Sequence, residues 1–239
     1  MITQQKRLEE IDALLLCGGL GMRLRPVVND RPKALAEING DPCIDILIDS
    51  LAREGLRRFI LCTGYMGNLI RGHFKKRQNP SLKILFSHEK EPLGTGGAVK
   101  NAKRLVASSP LLVMNADTLF KIKWQEFFDF HMAKKACISM VLTESMGRDD
   151  VDSVRLNKKG QVSGYGKIKS AAQKLYTSAG VYLFNREVFS WMPRRKVFSL
   201  ERDFFPSIIG RGLYGFVIKE KFMDIGTPER YEKARKICK

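Results

Sequence analysis

The chain has 239 residues, of which 44% are hydrophobic, 9% aromatic and 28% charged. This length suits one large domain, or one domain with a short arm, and the apolar content excludes intrinsic disorder. Lysine and arginine total 42 against 25 acidic residues, a formal net charge of +17. An excess of that size indicates an anionic partner, which could be a nucleotide, a sugar phosphate, a nucleic acid or an acidic membrane surface.

The cysteines and the N-terminal segment indicate the compartment in which the protein works. The five cysteines form no Cys-x-x-Cys pair, and the chain has only three histidines, so neither a zinc site nor a disulfide framework is predicted. We therefore expect a reduced, cytoplasmic protein. Residues 1–10 are polar and no apolar run is long enough to span a bilayer, so we expect neither secretion nor membrane insertion.

In the first half of the chain, short apolar runs alternate with amphipathic segments. The pattern predicts strands over 12–17, 58–63, 82–86 and 111–114, with helices over 41–54, 68–76 and 96–105 between them. In the first of these helices Ile44, Leu47, Ile48 and Leu51 have the spacing of one helix face. This alternation predicts βαβ units, hence an α/β fold with a mostly parallel sheet and helices on both faces.

The second half is less regular. A hairpin is predicted from 154–156 and 161–165, followed by a long strand over 176–184 and helices over 200–209 and 228–237. Neither a linker rich in Pro, Gly and Ser nor an internal repeat separates the halves. We predict one domain across residues 1–239, with a second half that supplies a lid or an acceptor-binding layer.

The strongest local signal is a glycine-dense loop after the first strand. It reads Leu16-Cys-Gly-Gly-Leu-Gly-Met-Arg-Leu-Arg-Pro26, and such a loop lets backbone N–H groups approach phosphate oxygens. Leu24 stands where a dinucleotide loop has its third glycine, and no Gly-Lys-Ser/Thr follows as in a Walker loop. Arg23 and Lys33 favour a triphosphate clamp over the alternative, an ordinary turn with surface cations.

Two acidic residues follow apolar runs and suggest a metal site. Asp117 ends Asn115-Ala-Asp117 after a predicted buried strand, where open α/β sheets bind ligands. Asp224 follows a short apolar run near the C-terminus. Both are candidate Mg²⁺ ligands, although Asp117 as a helix cap and Asp224 as a turn residue remain alternatives. The segment Glu89-Lys-Glu-Pro-Leu-Gly-Thr-Gly-Gly-Ala98 could pack against a base or form an ordinary turn.

Together these motifs resemble the sugar-1-phosphate nucleotidylyltransferases. The resemblance comprises Gly-Gly-x-Gly-x-Arg with Pro-Lys, the segment 89–98, Asn-x-Asp, and Asp-Ile-Gly-Thr-Pro-Glu-x-Tyr, in order from about residue 11 to the end. It implies a Rossmann-like three-layer αβα sandwich of GT-A type with a mixed, mostly parallel sheet. It also implies a nucleotide-binding half over about 11–118 and a sugar-phosphate-binding half over about 119–239.

Within that family the chain is most similar to the D-glycero-D-manno-heptose 1-phosphate guanylyltransferases, on its short length without a C-terminal β-helix and on segment 198–206. Uridylyltransferases of similar length share the glycine-loop motifs. The resemblance implies that an NTP, best matched by GTP, and a sugar 1-phosphate give an NDP-sugar and pyrophosphate with Mg²⁺. The attacking phosphate oxygen is already ionised near neutral pH, so no general base is needed.

The resemblance also implies roles for individual residues. The implied catalytic residues are Arg23, Lys33 and Asp117, and the metal ligands are Asp117 and Asp224. The implied nucleotide-binding residues are Leu16, Cys17, Gly18, Gly19, Gly21, Glu89 and Gly94, and those for the sugar phosphate are Lys167, Gly180 and Glu201. The expected partners are thus an NTP and a sugar 1-phosphate, with no nucleic acid and no membrane, and a homodimer stays open.

Several positions depart from the family pattern, nearly all in the second half. Gly166 replaces the glutamate before Lys167, Ser178 replaces an asparagine, Asp152-Ser153 replaces Tyr-Gly, and Ala116 replaces a glycine. The departures leave open a different phosphorylated acceptor, such as phosphocholine, or a non-catalytic sensor of nucleotide or sugar phosphate. The cations are spread along the chain, which disfavours nucleic-acid binding.

Overall fold

A computed structural model describes residues 8–77, 79–119, 122–145, 152–168, 174–219 and 223–237. The strands are β1 (Asp12–Leu16), β2 (Glu37–Ile38), β3 (Asp41–Pro42), β4 (Arg58–Thr63), β5 (Lys83–His88), β6 (Leu111–Asn115), β7 (Thr118–Leu119), β8 (Ile138–Glu144), β9 (Ser153–Leu156), β10 (Val162–Gly166), β11 (Tyr176–Phe184), β12 (Leu213–Val217) and β13 (Met223–Asp224). The α-helices are α1 (Cys43–Arg53), α2 (Gly67–Lys76), α3 (Gly94–Asn101), α4 (Trp124–Ala133), α5 (Phe205–Ser207) and α6 (Pro228–Ile237).

The main sheet is mixed, as predicted. Its strands run in the order β10-β9-β11-β6-β1-β4-β5, and β8 pairs with both β11 and β12. The first-half strands β6, β1, β4 and β5 pair in parallel, whereas β11 runs antiparallel to β6, β8 and β9. Because parallel strands need crossover connections, helices cover the parallel part of the sheet, and both of its faces are buried.

Two apolar layers pack against the sheet. Alternate residues of β1 serve the two faces: Ala13 and Leu15 join the layer that includes α1 and α4, and Leu14 joins the layer that includes α3 and α5. The three side chains are fully buried. Among the described residues, none of the helices combines the length and the apolarity that crossing a bilayer requires.

Most predicted elements are present, and one difference has a clear physical cause. The predicted helix 200–209 is instead a π-helical turn, Leu200–Phe204, that leads into the short α5. The Ser199 hydroxyl accepts hydrogen bonds from the N–H groups of Glu201 and Arg202, and the Phe204 N–H reaches back to the Ser199 carbonyl. These bonds widen the first turn. Strands β8 and β12 were not predicted, nor were the two-residue strands β2, β3, β7 and β13.

A buried carboxylate holds the N-terminal end of β1, the end of the strand opposite the glycine loop. Asp12 is 1% exposed, and its Oδ1 accepts a hydrogen bond of 2.7 Å from the Arg58 guanidinium. Its Oδ2 accepts bonds of 2.5 and 3.0 Å from the N–H groups of Ala107 and Ser108. Asp12 therefore ties the start of β1 to β4 and to the loop before β6.

We predict that Asp12→Ala lowers the free energy of unfolding by about 3 kcal/mol, since it leaves a half-buried guanidinium and two N–H groups without their acceptor. Urea denaturation followed by circular dichroism measures the change. Asp30→Ala is the matched control, because that carboxylate is 62% exposed beside Arg31 and such pairs contribute about 0–1 kcal/mol. Equal midpoints for the two variants would contradict the prediction.

Candidate active site

The glycine loop and the Asn-Ala-Asp motif meet because β1 and β6 are neighbours. In the parallel ladder Leu16 pairs with Asn115, the last residue of each strand. The Ala116 N–H then donates to the Leu16 carbonyl at 3.1 Å. Both loops therefore leave the sheet at the same edge, the carboxyl ends of parallel strands, where open α/β sheets bind ligands.

The first of two adjoining cavities lies between these loops and has a volume of about 240 Å³. Its lining includes six of the predicted residues on the glycine loop and beyond it, together with Asp117: Leu16, Cys17, Gly19, Gly21, Arg23 and Lys33. Gly21 has a φ of +62°, a conformation that other residues rarely adopt, and it lets the loop turn back toward Lys33.

Two further predicted residues, Gly18 and Glu89, pack against each other on the side of the glycine loop that faces away from the first cavity. A Cβ added to Gly18 would lie 3.0 Å from both Glu89 Oε1 and the backbone nitrogen of Gly64, closer than side-chain carbons usually approach. The Glu89 carboxylate is buried, accepts a hydrogen bond of 3.1 Å from the Leu93 N–H, and has a pKa raised by burial. The Cys17 thiol donates to the Cys62 carbonyl at 3.1 Å, and burial raises its pKa. Glu89 and the Cys17 thiol thus support the loop from below.

The two predicted cations converge on the C-terminal segment. Lys33 forms an ion pair with Asp117. A Cβ added to Gly226 would lie 3.5 Å from both Lys33 Nζ and Arg23 Nη2. A small two-stranded sheet holds this segment in place, since β13 pairs with β7 and the Ile225 N–H donates to the Asp117 carbonyl at 3.0 Å. The same pairing brings Asp224 and Asp117 to one cavity.

Asp224 has protein partners of its own. Its Oδ1 accepts a hydrogen bond of 2.9 Å from the Gly226 N–H, the contact expected of a turn aspartate. Arg230 Nη1 donates to both carboxylate oxygens at 2.9 Å. The described residues contain no group of three or more His, Cys, Asp or Glu that could hold a metal ion. Two carboxylates fit a hard cation such as Mg²⁺ only if substrate oxygens and water complete its coordination.

The second cavity, of about 480 Å³, adjoins the first and shares Arg23 and Asp117 with it. Glu201 lies on its wall, and Glu201 Oε2 accepts hydrogen bonds from the hydroxyls of Thr95, at 2.6 Å, and Ser199, at 2.7 Å. Oε1 has a longer contact with the Tyr182 hydroxyl, at 3.4 Å. The carboxylate is thus fixed through one oxygen, and the other is available to accept from a ligand.

A bulge in β11 shapes the opposite wall of the second cavity. The register of β11 against β8 shifts between Ser178 and Tyr182. Gly180 lies in this bulge with a φ of +73°, and a Cβ there would clash with the side-chain amide of Asn115. Ser178 Oγ accepts from the Gly180 N–H and donates to the Tyr182 hydroxyl, both at 3.2 Å. A bulge at this point places backbone and hydroxyl groups in the cavity wall.

Comparison with known proteins identifies the family. The model of the family described as "Nucleotidyl transferase" matches residues 12–239. The chain belongs to this family.

Its relatives include two enzymes named D-glycero-alpha-D-manno-heptose 1-phosphate guanylyltransferase. The one from Aneurinibacillus thermoaerophilus is 34% identical over 95% of this chain and 97% of its own length. The one from Campylobacter jejuni is 30% identical over 92% of this chain and 97% of its own length. A mannose-1-phosphate guanylyltransferase of Mycobacterium tuberculosis is 28% identical, and the match covers 93% of this chain but only 63% of that protein.

Solved structures agree with this assignment. HddC from Yersinia pseudotuberculosis, complexed with GMP-PN, is 30% identical and has a TM-score of 0.81, with 96% of this chain and all of that chain covered. A putative glucose-1-phosphate thymidylyltransferase of Bacillus anthracis, 17% identical with a TM-score of 0.80 over 95% of this chain and 94% of that one, shares the fold. The Rossmann-like, GT-A-like architecture expected from the motifs of this nucleotidyl transferase is therefore confirmed.

The remaining predicted site residues lie in different places. Gly180, Glu201 and Asp224 line the second cavity. Gly94, expected near the nucleotide, also lines this second cavity and not the first. Lys167 is exposed after β10, and of the two cavities formed by the described residues it lines neither. The roles of all these residues stay predictions.

Sequence analysis gave no role to several residues of the second cavity. They are Thr95, Asp152, Tyr165, Tyr182, Ser199, Arg202 and Arg230. Some of them had a sequence signal, since Arg230 follows Thr227-Pro-Glu229 and therefore falls in the first turn of the predicted C-terminal helix. Tyr165 had none, because a tyrosine in a half-buried strand is ordinary.

We predict that Gly180→Ala lowers the free energy of unfolding by about 2 to 4 kcal/mol, because the alanine is strained at positive φ and its Cβ displaces Asn115. Gly210→Ala is the control. Its φ is +86° and nothing lies within 4 Å of an added Cβ, so it bears the backbone strain alone, about 1 kcal/mol. Urea midpoints compare the two variants, and equal midpoints would show that the contact with Asn115 is unimportant.

Proposed function

We propose that this nucleotidyl transferase moves the guanylyl group of GTP to D-glycero-α-D-manno-heptose 1-phosphate, which yields GDP-heptose for glycan assembly and pyrophosphate. The observation that carries the proposal is the convergence of Arg23, Lys33, Asp117 and Asp224 where the two cavities join. The choice of substrates is supported by the two relatives named for this reaction, each matched over 97% of its length.

The first cavity is proposed as the site of the nucleoside triphosphate. Backbone N–H groups of the glycine loop would donate to phosphate oxygens, and Arg23 with Lys33 would neutralise the charge that develops at the α-phosphate. Lys33 is paired with Asp117 in this structure, and its ammonium would exchange this partner for a phosphate oxygen when the triphosphate binds. That exchange leaves the Asp117 carboxylate open for a metal ion.

The second cavity is proposed as the acceptor site. Glu201 Oε1, held with its long contact to Tyr182, would accept hydrogen bonds from sugar hydroxyls, and Asn115 beside Gly180 would donate to them. In the reaction an oxygen of the acceptor phosphate forms a bond to the α-phosphorus. The bond from that phosphorus to the bridging oxygen of the β-phosphate breaks, and pyrophosphate leaves with the electron pair.

Mg²⁺ is the proposed cofactor, and Asp117 and Asp224 are the residues that would hold it. When bound, it would supply positive charge to the phosphate oxygens. The organisation of the chain as one domain in two halves stays a prediction. The proposed acceptor site draws on both, with Thr95 and Asn115 from the first and Glu201 from the second. The cytoplasmic location and the homodimer remain predictions from the sequence.

The reaction is tested by measuring pyrophosphate release with each of four NTPs against a panel of sugar 1-phosphates, with and without Mg²⁺. We expect turnover with GTP and D-glycero-α-D-manno-heptose 1-phosphate, and none without a divalent cation. A preference for UTP or for another sugar 1-phosphate would correct the substrates and keep the family. Nucleotide binding without turnover on the whole panel would favour a sensor or a different acceptor.

We predict that Asp117→Asn lowers kcat about 100-fold or more at saturating Mg²⁺, a loss of about 3 kcal/mol of transition-state stabilisation. The amide keeps the shape of the side chain and removes its charge, so Mn²⁺ affinity in the presence of a GTP analogue should fall as well. Electron paramagnetic resonance measures this affinity. Asp129→Asn on α4, where the carboxylate accepts from Gln125, controls for a change of net charge. Full turnover by Asp117→Asn would refute the assignment.

A further inference from the structure

Arg230 occupies a fixed position between the C-terminal helix and the second cavity. It lies in the first turn of α6, where its N–H donates to Thr227 Oγ1 at 3.4 Å and Pro228 is the first helical residue. The next residue, Tyr231, is buried and donates its hydroxyl to the Glu37 carbonyl at 2.6 Å. This hydrogen bond holds the first turn of the helix against β2, so the backbone from which the Arg230 side chain extends is fixed in position.

The side chain folds back toward the junction of the cavities. Its Nη1 contacts both oxygens of Asp224, only 27% of the side chain is exposed, and it lines the same cavity as Arg23. A guanidinium carries five N–H donors. One arginine can therefore serve two anions, and its planar fork suits both a carboxylate and a phosphate.

The proposed reaction needs such a cation. Two phosphate-bearing substrates must lie side by side, with the attacking oxygen about 3 to 3.5 Å from the phosphorus it attacks. Arg23 and Lys33 converge on the cavity proposed for the triphosphate, which leaves the acceptor phosphate to be neutralised. Lys167, which the family resemblance implies for this role, is exposed and is not among the residues that line the two cavities of the described chain.

Three arginines of the described chain line the second cavity: Arg23, Arg202 and Arg230. Arg23 also lines the first cavity. Arg202 follows Glu201 on the π-helical turn and is exposed, so it lies on the side proposed for sugar hydroxyls. Arg230 forms an ion pair with Asp224, next to where the phosphates must meet.

We infer that Arg230 binds the phosphate of the acceptor and aligns its oxygen for attack, an inference that rests on the proposed function. Asp224 then serves a second purpose, since it orients the guanidinium toward the acceptor. A merely structural alternative is that Arg230 only orients Asp224 for a metal ion. The two alternatives differ in which affinity the removal of Arg230 lowers. It lowers the affinity for the acceptor alone in the first case, and the affinity for the metal ion in the second.

The test compares Arg230→Ala, Arg230→Lys and the control Arg235→Ala. Arg235 lies on the same helix, is 51% exposed and pairs with Glu232, so its removal changes net charge equally without touching a cavity. With GTP and the sugar 1-phosphate that the wild-type protein uses best, we expect Arg230→Ala to raise the KM of the acceptor at least 10-fold. The KM of GTP and the Mn²⁺ affinity of the complex with a GTP analogue should change less than threefold. Arg230→Lys, which keeps the charge, should recover part of the acceptor affinity, and Arg235→Ala should match the wild type.

Other results would overturn the inference. If Arg230→Ala weakens Mn²⁺ binding 10-fold and leaves the KM of the acceptor unchanged, Arg230 acts only on Asp224. Equal rises in both KM values would mean a general disruption of the site. If the wild-type protein releases no pyrophosphate with any acceptor on the panel, the proposed function itself fails, and the inference fails with it. Wild-type turnover therefore separates the two kinds of failure.

Discussion

The parallel pairing of β1 with β6 is the constraint on which the candidate site depends. Because Leu16 and Asn115 end their strands in register, the glycine loop and Asp117 leave the sheet together. The ion pair between Lys33 and Asp117 then joins the two loops across the first cavity. If one strand slipped by one residue along the other, its side chains would turn to the opposite face of the sheet. The side chains at the ends of β1 and β6 would then no longer lie on matching faces. Secure pairing at the centre of the sheet therefore positions the groups proposed to bind phosphate at the carboxyl ends of the strands.

The helices and strands that were predicted correctly are those whose local sequence pattern by itself determines the local structure. The long strand over Tyr176–Phe184 and the helix over Pro228–Ile237 have the predicted bounds, because hydrophobic spacing and a proline at the first helical position are local signals. β8 and β12 lack such signals. Ile138–Glu144 is a continuous buried run whose period fits either a strand or a helix, and Leu213–Val217 is short with a central glycine. Their pairing with each other depends on the assembled sheet.

The same distinction applies to the candidate site. Residues of the glycine loop and Asp117 were predicted because they directly follow strands of a parallel sheet. Tyr182 and Arg230 were not, because each reaches the cavity only through tertiary structure. A bulge around Gly180 brings the Tyr182 hydroxyl toward Glu201, and the docking of α6 brings Arg230 to Asp224. A sequence shows which residues flank a loop, but the side chains that meet across a cavity depend on bulges and helix packing.

Two of the cations at the junction of the cavities are paired with carboxylates in this structure. Lys33 is paired with Asp117 and Arg230 with Asp224, in side chains that are partly shielded from water and thus interact more strongly than exposed pairs. A phosphate would either replace a carboxylate as the partner of one of these cations or share the cation with it, as is inferred for Arg230. A ligand without phosphate would gain no such contact and would find the cations already occupied. The paired charges therefore favour phosphorylated ligands over neutral sugars, and a carboxylate displaced from its cation would become available to the proposed divalent metal ion.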